Sequence, residues 1–568
     1  MKCGRILLEM LKRYDVEYVF GLPGETTLKW YDEWKNFQGI EHVMVRDERN
    51  AAYMADGYAK VSGKPGICEG PSCGAAHMMP GIVESWCSCI PVIAITSDVP
   101  LTGEKHNMLT GADQTSMFKP FVKESLTLHK ASELPFIIRR AFRLATTGRP
   151  GPVHIRMPQD VLGEDVEVPD LYAQPEFGHI PGKRTVAADE DIRKAIEVLK
   201  KAKRGVIACG QGALSSGASE EVLAVAEKFE CAVVTTINAK GVIAETHPLS
   251  GGVAGSRGAN SFSNGLVTDA DVVFFVGSST DSCGTSGWKV PARDGKADII
   301  QLDASEGELG NNYASKALML GDAKATLAKI LEYTKDYEKG SGAYTKAIAK
   351  KRSEYEKSVE EARASMEFPL NPIHAMAEIE AALPDNAIIV VDPGIAAVYP
   401  AGFLKLKKGG RHFVCNFAQG ALGYATSAAM GAAKAAPKST IVHITGDGSF
   451  GFTAGEYETL SRTGCNVKVI IVNDHSFGWI RVSNAMVFDN EPFATEFADL
   501  DYVKIMQGFG LKADRVTDVK ELPAALKKLF KGSGPAVLEL PFLPEDKCVP
   551  PVPGWCDIAR KKGMKNYY

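Results

Sequence analysis

Runs such as GVIACG, DVVFFVG, TIVHIT and VKVIIV leave a chain few ways to fold. Each is short, apolar on both faces and rich in β-branched residues, which marks strands buried between two layers. Stretches with apolar residues at helical spacing lie between them from end to end, and strand–helix–strand alternation is the pattern of parallel sheets with crossover helices. A chain of 568 residues is also too long for one hydrophobic core. The expectation is an α/β protein of three domains, each a mostly parallel sheet flanked by helices.

Punctuation along the chain sets the expected boundaries. The first block, 1–165, closes on GRPGPVHIRMPQDV, and the proline-bearing GEDVEVPDLYAQPEFGHIPGKR follows as a linker. A second block, 185–335, opens on the helical DEDIRKAIEVLKKAKR and carries GVIACG, CAVVTTI, DVVFFVG and DIIQLD as strands. The charged AYTKAIAKKRSEYEKSVEEARASME, within 336–370, reads as a solvated helical connector. The third block, 371–548, starts at NPIHAMAEIEAAL and carries AIIVVD, TIVHIT, VKVIIV and AVLELP, and residues 549–568 form a tail outside it.

Composition removes several functions. A formal net charge of −4, with 24% charged residues, offers no basic surplus for nucleic acid. No run of about 18 apolar residues occurs, so no membrane span is expected. The N-terminal MKCGRILLEMLKRYDVEYVF places Ile6, Leu7, Met10 and Leu11 at helical spacing around Glu9 and reads as an amphipathic helix, not a signal peptide. The 12 cysteines are scattered, and neither CxxC nor HExxH occurs, as expected of a reduced cytoplasmic protein without a zinc site.

The chemistry concentrates in GDGSFGFTAGEYETLSRTGCNVKVIIVNDHSF, residues 446–477. It reads as strand TIVHIT, a tight GDGS turn, a helix around GEYETLSRTG, and strand VKVIIV ending in NDH. Both strand ends then emerge on one edge of the sheet, where open α/β folds bind ligands, and Asp447 faces Asn473. A carboxylate, an amide oxygen and a nearby backbone carbonyl suit Mg²⁺ that keeps positions for diphosphate oxygens. Gly446 and Gly448 allow a sharp turn and close phosphate approach, ahead of a helix N-terminus.

GDG followed at that distance by ND resembles the motif of the thiamine-diphosphate enzymes, the group of acetolactate synthases, pyruvate oxidases and 2-oxo acid decarboxylases. The resemblance implies Asp447, Asn473 and the backbone carbonyl of His475 as Mg²⁺ ligands. It implies a diphosphate cradle of Gly446, Gly448, Ser449 and the HSF turn with Phe477. RDERNAAYMADGYAKVSG resembles the family's glutamate-bearing helix start, which puts on Glu48 the acid that hydrogen-bonds the cofactor pyrimidine nitrogen N1′. In NFAQGALGYATSAAMGAA, Gly420 falls where a carbonyl meets the 4′-amino group and Leu422 where an apolar wedge bends the cofactor. YVFGLPGE, GRPGPVHIRMPQDV, GQGALSSGASEEVLAVAEKF and VVDPG extend the likeness over nearly the whole chain, making the three domains pyrimidine-binding, central and pyrophosphate-binding. With Glu48 in the first and the metal in the third, the family arrangement puts active sites between subunits, in a homodimer at least and a tetramer by resemblance.

For the substrate, the resemblance singles out Glu25 as a proton shuttle, Gln114 of TGADQTS as a partner for a carbonyl or hydroxyl, and His77, standing where the usual pattern has asparagine, as a pocket acid or base. KHN at 105–107 lacks the paired histidines of pyruvate decarboxylases, and GSSTDSCGTSGW lacks the RFDD-like segment of flavin-binding relatives, which disfavours FAD. The implied activity is acetolactate synthase-like: decarboxylation of a small 2-oxo acid and transfer of the acyl carbanion to a carbonyl acceptor. A 2-oxo acid decarboxylase, a 2-hydroxyacyl-CoA lyase and an acetyltransferase are the alternatives on the same scaffold. A nucleotide-dependent oxidoreductase using GVIACGQGALSSG is the remote one, since that loop fails GxGxxG.

Overall fold

Among the residues described by the structure, a computed structural model covering 1–167, 170–488, 492–544 and 547–563, eighteen strands form three sheets of six. The first holds β1 (Tyr18–Gly21), β2 (Glu41–Met44), β3 (Gly66–Gly70), β4 (Val92–Asp98), β5 (Ser125–Thr127) and β6 (Val153–Pro158), in the order 2-1-3-4-6-5. The second holds β7 (Gly205–Cys209), β8 (Ala232–Thr235), β9 (Ser250–Val253), β10 (Val272–Val276), β11 (Asp298–Asp303) and β12 (Ala317–Leu320), in the order 12-11-10-7-8-9. The third holds β13 (Ala387–Val391), β14 (Phe413–Val414), β15 (Thr440–Gly446), β16 (Val467–Asn473), β17 (Ala513–Arg515) and β18 (Ala536–Pro541), in the order 14-13-15-16-18-17. All three sheets are parallel, so the fold is α/β as the alternation requires. The first and third share one strand order, whereas the second runs outward in both directions from β7 and β10.

The chain packs as two compact units. One comprises Met1–Lys183 with Ala418–Ser439 and Thr453–Val467, and the other Arg184–Phe417 with Thr440–Phe452 and Lys468–Tyr568. In the first unit, the helices Glu48–Ser62 and Tyr424–Ala435 meet backbone to backbone. A Cβ at Gly431 would lie 2.0 Å from the Met54 carbonyl oxygen, and one at Gly57 would lie 2.3 Å from that of Ala428. Beside this contact, buried Lys60 bonds Asp56 at 2.8 Å, Glu84 at 3.2 Å and the Tyr424 hydroxyl at 3.1 Å. The N-terminal helix, Cys3–Arg13, buries Ile6, Leu7, Met10 and Leu11 completely, as their spacing predicts.

Three readings of connecting segments change. The GDGS segment is no free turn: β15 ends at Gly446 and Asp447 already opens the helix Asp447–Thr453, with the next helix at Glu456–Thr463. The charged helix, Ala343–Arg363, is docked rather than solvated, because Ile348, Val359 and Ala362 form a buried stripe and Arg352 donates to the carbonyls of His247, Pro248 and Ser250. Within the expected tail, Pro553–Lys561 is an amphipathic helix that packs Trp555 and Ala559 on Val482 and Met486, while residues 564–568 lie outside the described residues.

Candidate active site

Asp447 is delivered by the end of β15 and is 4% exposed. Its Oδ1 accepts the Gly448 N–H at 2.8 Å, while Oδ2 is buried with no hydrogen-bond partner. Burial first, and then the negative charge of Asp474, push the Asp447 carboxyl up to about 8, against backbone N–H groups of Gly448, Ser476 and His475 that favour its charged form. Two carboxylates this close and this dry call for positive charge between or beside them.

Asn473 ends β16 and is 2% exposed. Its Nδ2 donates to Glu539 Oε1 at 2.8 Å, and its Oδ1 accepts the His475 N–H at 3.1 Å, which fixes the amide orientation. His475 holds φ +60°, turning the chain sharply after the strand, and its carbonyl accepts the Phe497 N–H at 2.8 Å with a second lone pair remaining. Phe477 meets Phe497 edge to face at 4.6 Å and closes over Gly448, where a Cβ would come within 2.8 Å of the Phe477 ring. Ser449 is buried in the same first helical turn, and Gly446 is half-buried. The unpartnered Asp447 Oδ2, the Asn473 amide oxygen and the His475 carbonyl are all hard oxygen donors, the chemistry that Mg²⁺ takes.

The other expected residues belong to the other unit. Glu48 opens its helix behind Asp47, whose side chain caps it by accepting the Arg49 N–H at 2.8 Å. The Glu48 carboxylate lies against Gly74, where a Cβ would sit 2.3 Å from Oε1, and its Oε2 is 3.1 Å from His77 Nδ1. Glu48, His77 and Asp47 each bring a polar atom within 4.8 Å of the others. Gly420 takes φ +82° with open space where a Cβ would stand, and Leu422 is half-buried just ahead of the helix Tyr424–Ala435.

Glu25 is exposed in the short turn Glu25–Thr27 after β1 and makes no hydrogen bond to Glu48 or His77. Gln114 is fully buried: its Oε1 accepts from the Thr96 hydroxyl, and its Nε2 donates to the Ser97 carbonyl at 3.0 Å. Thr96 in turn bonds His154 at 2.7 Å, and burial holds that imidazole down at about 3. The Gln114 amide is thus tied into the fold and fully buried, and would reach a substrate only if the segments covering it moved.

Sequence reasoning missed Asp474, Glu539 and the seat formed by Gly74. The signal for Glu539 was an acid inside the apolar run AVLELP, and Glu69 in ICEG carries the same signal.

A parallel α/β fold with an oxygen-rich strand-end site on one unit and a buried carboxylate at a helix start on the other is that of a thiamine-diphosphate enzyme. Three family models match in order: the thiamine pyrophosphate enzyme N-terminal TPP binding domain over residues 1–117, its central domain over 192–330 and its C-terminal TPP binding domain over 392–540. The chain belongs to that family and is acetolactate synthase-like within it. It is 31% identical to a probable acetolactate synthase large subunit of Methanocaldococcus jannaschii, covering 97% of this chain and 94% of that one. It is 30% identical to an acetolactate synthase of Arthrospira platensis, covering 99% and 97%. With the acetolactate synthase isozyme 1 large subunit of Escherichia coli it shares 28% identity over 97% and 95%. Among the described residues, no helix is long and apolar enough to cross a membrane.

Proposed function

We propose that the protein decarboxylates a small 2-oxo acid and joins the resulting acyl unit to a carbonyl acceptor, using thiamine diphosphate and Mg²⁺. Thiamine diphosphate, when bound, would supply the nucleophilic C2 carbon and, in its positively charged thiazolium ring, the electron sink. Asp447, Asn473 and the His475 carbonyl hold the metal, and Gly446, Gly448, Ser449 and Phe477 shape the diphosphate cradle. Glu48 would present its buried carboxyl to the pyrimidine nitrogen, with the Gly420 carbonyl and Leu422 fixing the ring. Glu25 and His77 are available to the substrate side, and Gln114 is so only after rearrangement.

The observation that carries this reading is the unpartnered Asp447 Oδ2 beside buried Asp474, a carboxylate pair whose cost a divalent cation removes. The active unit is a dimer at least, and exposed Phe452, Ile480, Val487 and Phe488, in the stretch that also carries the oxygen site, suit a subunit contact. A cytoplasmic location belongs to the same reading.

The test is reconstitution with thiamine diphosphate and Mg²⁺, a panel of 2-oxo acids and NMR identification of products. A 2-hydroxy-2-alkyl-3-oxo acid is expected from pyruvate, and release of free aldehyde alone would refute the transfer. Asp447→Ala is expected to abolish Mg²⁺-dependent cofactor retention, read by gel filtration and thiamine fluorescence after oxidation.

A further inference from the structure

Glu48 has a bonded partner that the proposed chemistry does not yet use. The carboxylate is 8% exposed, whereas the side chain of His77, bonded to it at 3.1 Å, is 61% exposed. One ring nitrogen therefore meets a buried acid while the rest of the imidazole is uncovered in the single subunit. The neighbouring charges are committed elsewhere. Asp47 takes the Arg49 N–H and guanidinium at 2.8 and 3.3 Å, and Glu69, which feels the charge of Glu48, bonds Tyr31 and His42. Glu48 Oε1 lies beside the Gly74 backbone, and Oε2 is the oxygen bonded to His77.

We propose that His77 is the proton conduit between solvent and Glu48, a positioning residue that acts through that carboxyl. A neutral imidazole is a donor at one nitrogen and an acceptor at the other. When Glu48 has given up its proton, Nδ1–H passes one to Oε2 while Nε2 takes one from a solvent water, leaving hydroxide in the solvent and the ring in its other neutral tautomer. The reverse transfer returns a proton to water when the carboxyl must be ionised. One proton enters and one leaves at each passage, and no other reactant is needed. Without the conduit, a recessed acid exchanges protons only when the recess opens.

This inference rests on the proposed role of Glu48 toward the thiamine pyrimidine, and the experiment separates the two. The full-length protein is saturated with thiamine diphosphate and Mg²⁺, and hydrogen–deuterium exchange at the cofactor C2 is followed by acid quench and NMR. His77→Asn and His77→Ala are expected to slow exchange by about tenfold or more, and free imidazole to restore the rate of His77→Ala. Exchange at the unaltered rate in His77→Asn, or slow exchange in His77→Ala that imidazole leaves untouched, overturns the conduit. Failure of the unaltered protein to bind thiamine diphosphate overturns the underlying reading and the conduit with it. A second readout needs no cofactor. In the apo-protein, diethyl pyrocarbonate is expected to modify His77 at least about tenfold faster than the fully buried His154 and His443, and equal rates would remove the open ring edge on which the relay depends.

Discussion

Glu48 and Glu69 show how burial alone gives a carboxyl group a task or a cost. Glu48→Gln keeps the shape and removes the acid, and is expected to slow C2 exchange by about 10²- to 10⁴-fold, a typical worth of a positioned proton-transfer group; quenched-flow NMR on the reconstituted protein checks it. Glu69 is fully buried on β3, and desolvation raises its carboxyl above the usual 4.5 despite its bonds to His42 and Tyr31. An acid whose folded value is raised contributes stability that is complete below about 4.5 and fades as pH climbs through the folded value. Glu69→Gln is therefore expected to match the unaltered protein near pH 4 and to exceed it at pH 8, by about 1.4 kcal/mol for every tenfold by which folding favours the proton. Thermal unfolding at the two pH values measures the difference, and a variant less stable at pH 8 would show that the ionised carboxylate is a net stabiliser.

At the scale of elements, the contact between Glu48–Ser62 and Tyr424–Ala435 depends on absent side chains. With the Met54 carbonyl 2.0 Å from where a Gly431 Cβ would stand, Gly431→Ala must push the helices apart. A loss of about 1–3 kcal/mol is expected, as for other overpacked interiors, read as a lowered unfolding midpoint with near-unchanged far-UV circular dichroism. These elements also show what was readable in advance. Central strands such as β10, β15 and β16 are mostly apolar, β-branched runs broken at most by single polar residues such as His443 and Lys468, so their residues could be read directly. Edge strands such as β14, Phe413–Val414, are two to four residues long, too short to show a period. The helix Ala343–Arg363 looked solvated because Lys, Arg and Glu outnumber its buried residues, yet Ile348, Val359 and Ala362 were spaced to form a stripe. In the site, Asp447 and Asn473 were legible because they interrupt Gly-rich or apolar strand ends, whereas the partnership of Asn473 with Glu539 joins β16 to β18 and has no local signature.

For the whole molecule, the proposed division of labour between the Glu48 and Asp447 segments makes subunit association a condition of activity. Serial dilution followed by sedimentation velocity and activity is expected to show turnover falling with the dimer fraction, and a fully active monomer would exclude sites built between subunits. The amino-acid order by itself determined the parallel α/β character, because buried strands and the helices between them are written in contiguous residues. Only the tertiary structure decided that two sheets share one strand order while the middle one differs, that Ala418–Ser439 packs with the N-terminal block, and that His77 bonds Glu48. Those outcomes depend on pairings between residues far apart in the chain, and short-range pattern carries no information about which distant partner a strand end, a small-residue helix or a carboxylate will meet.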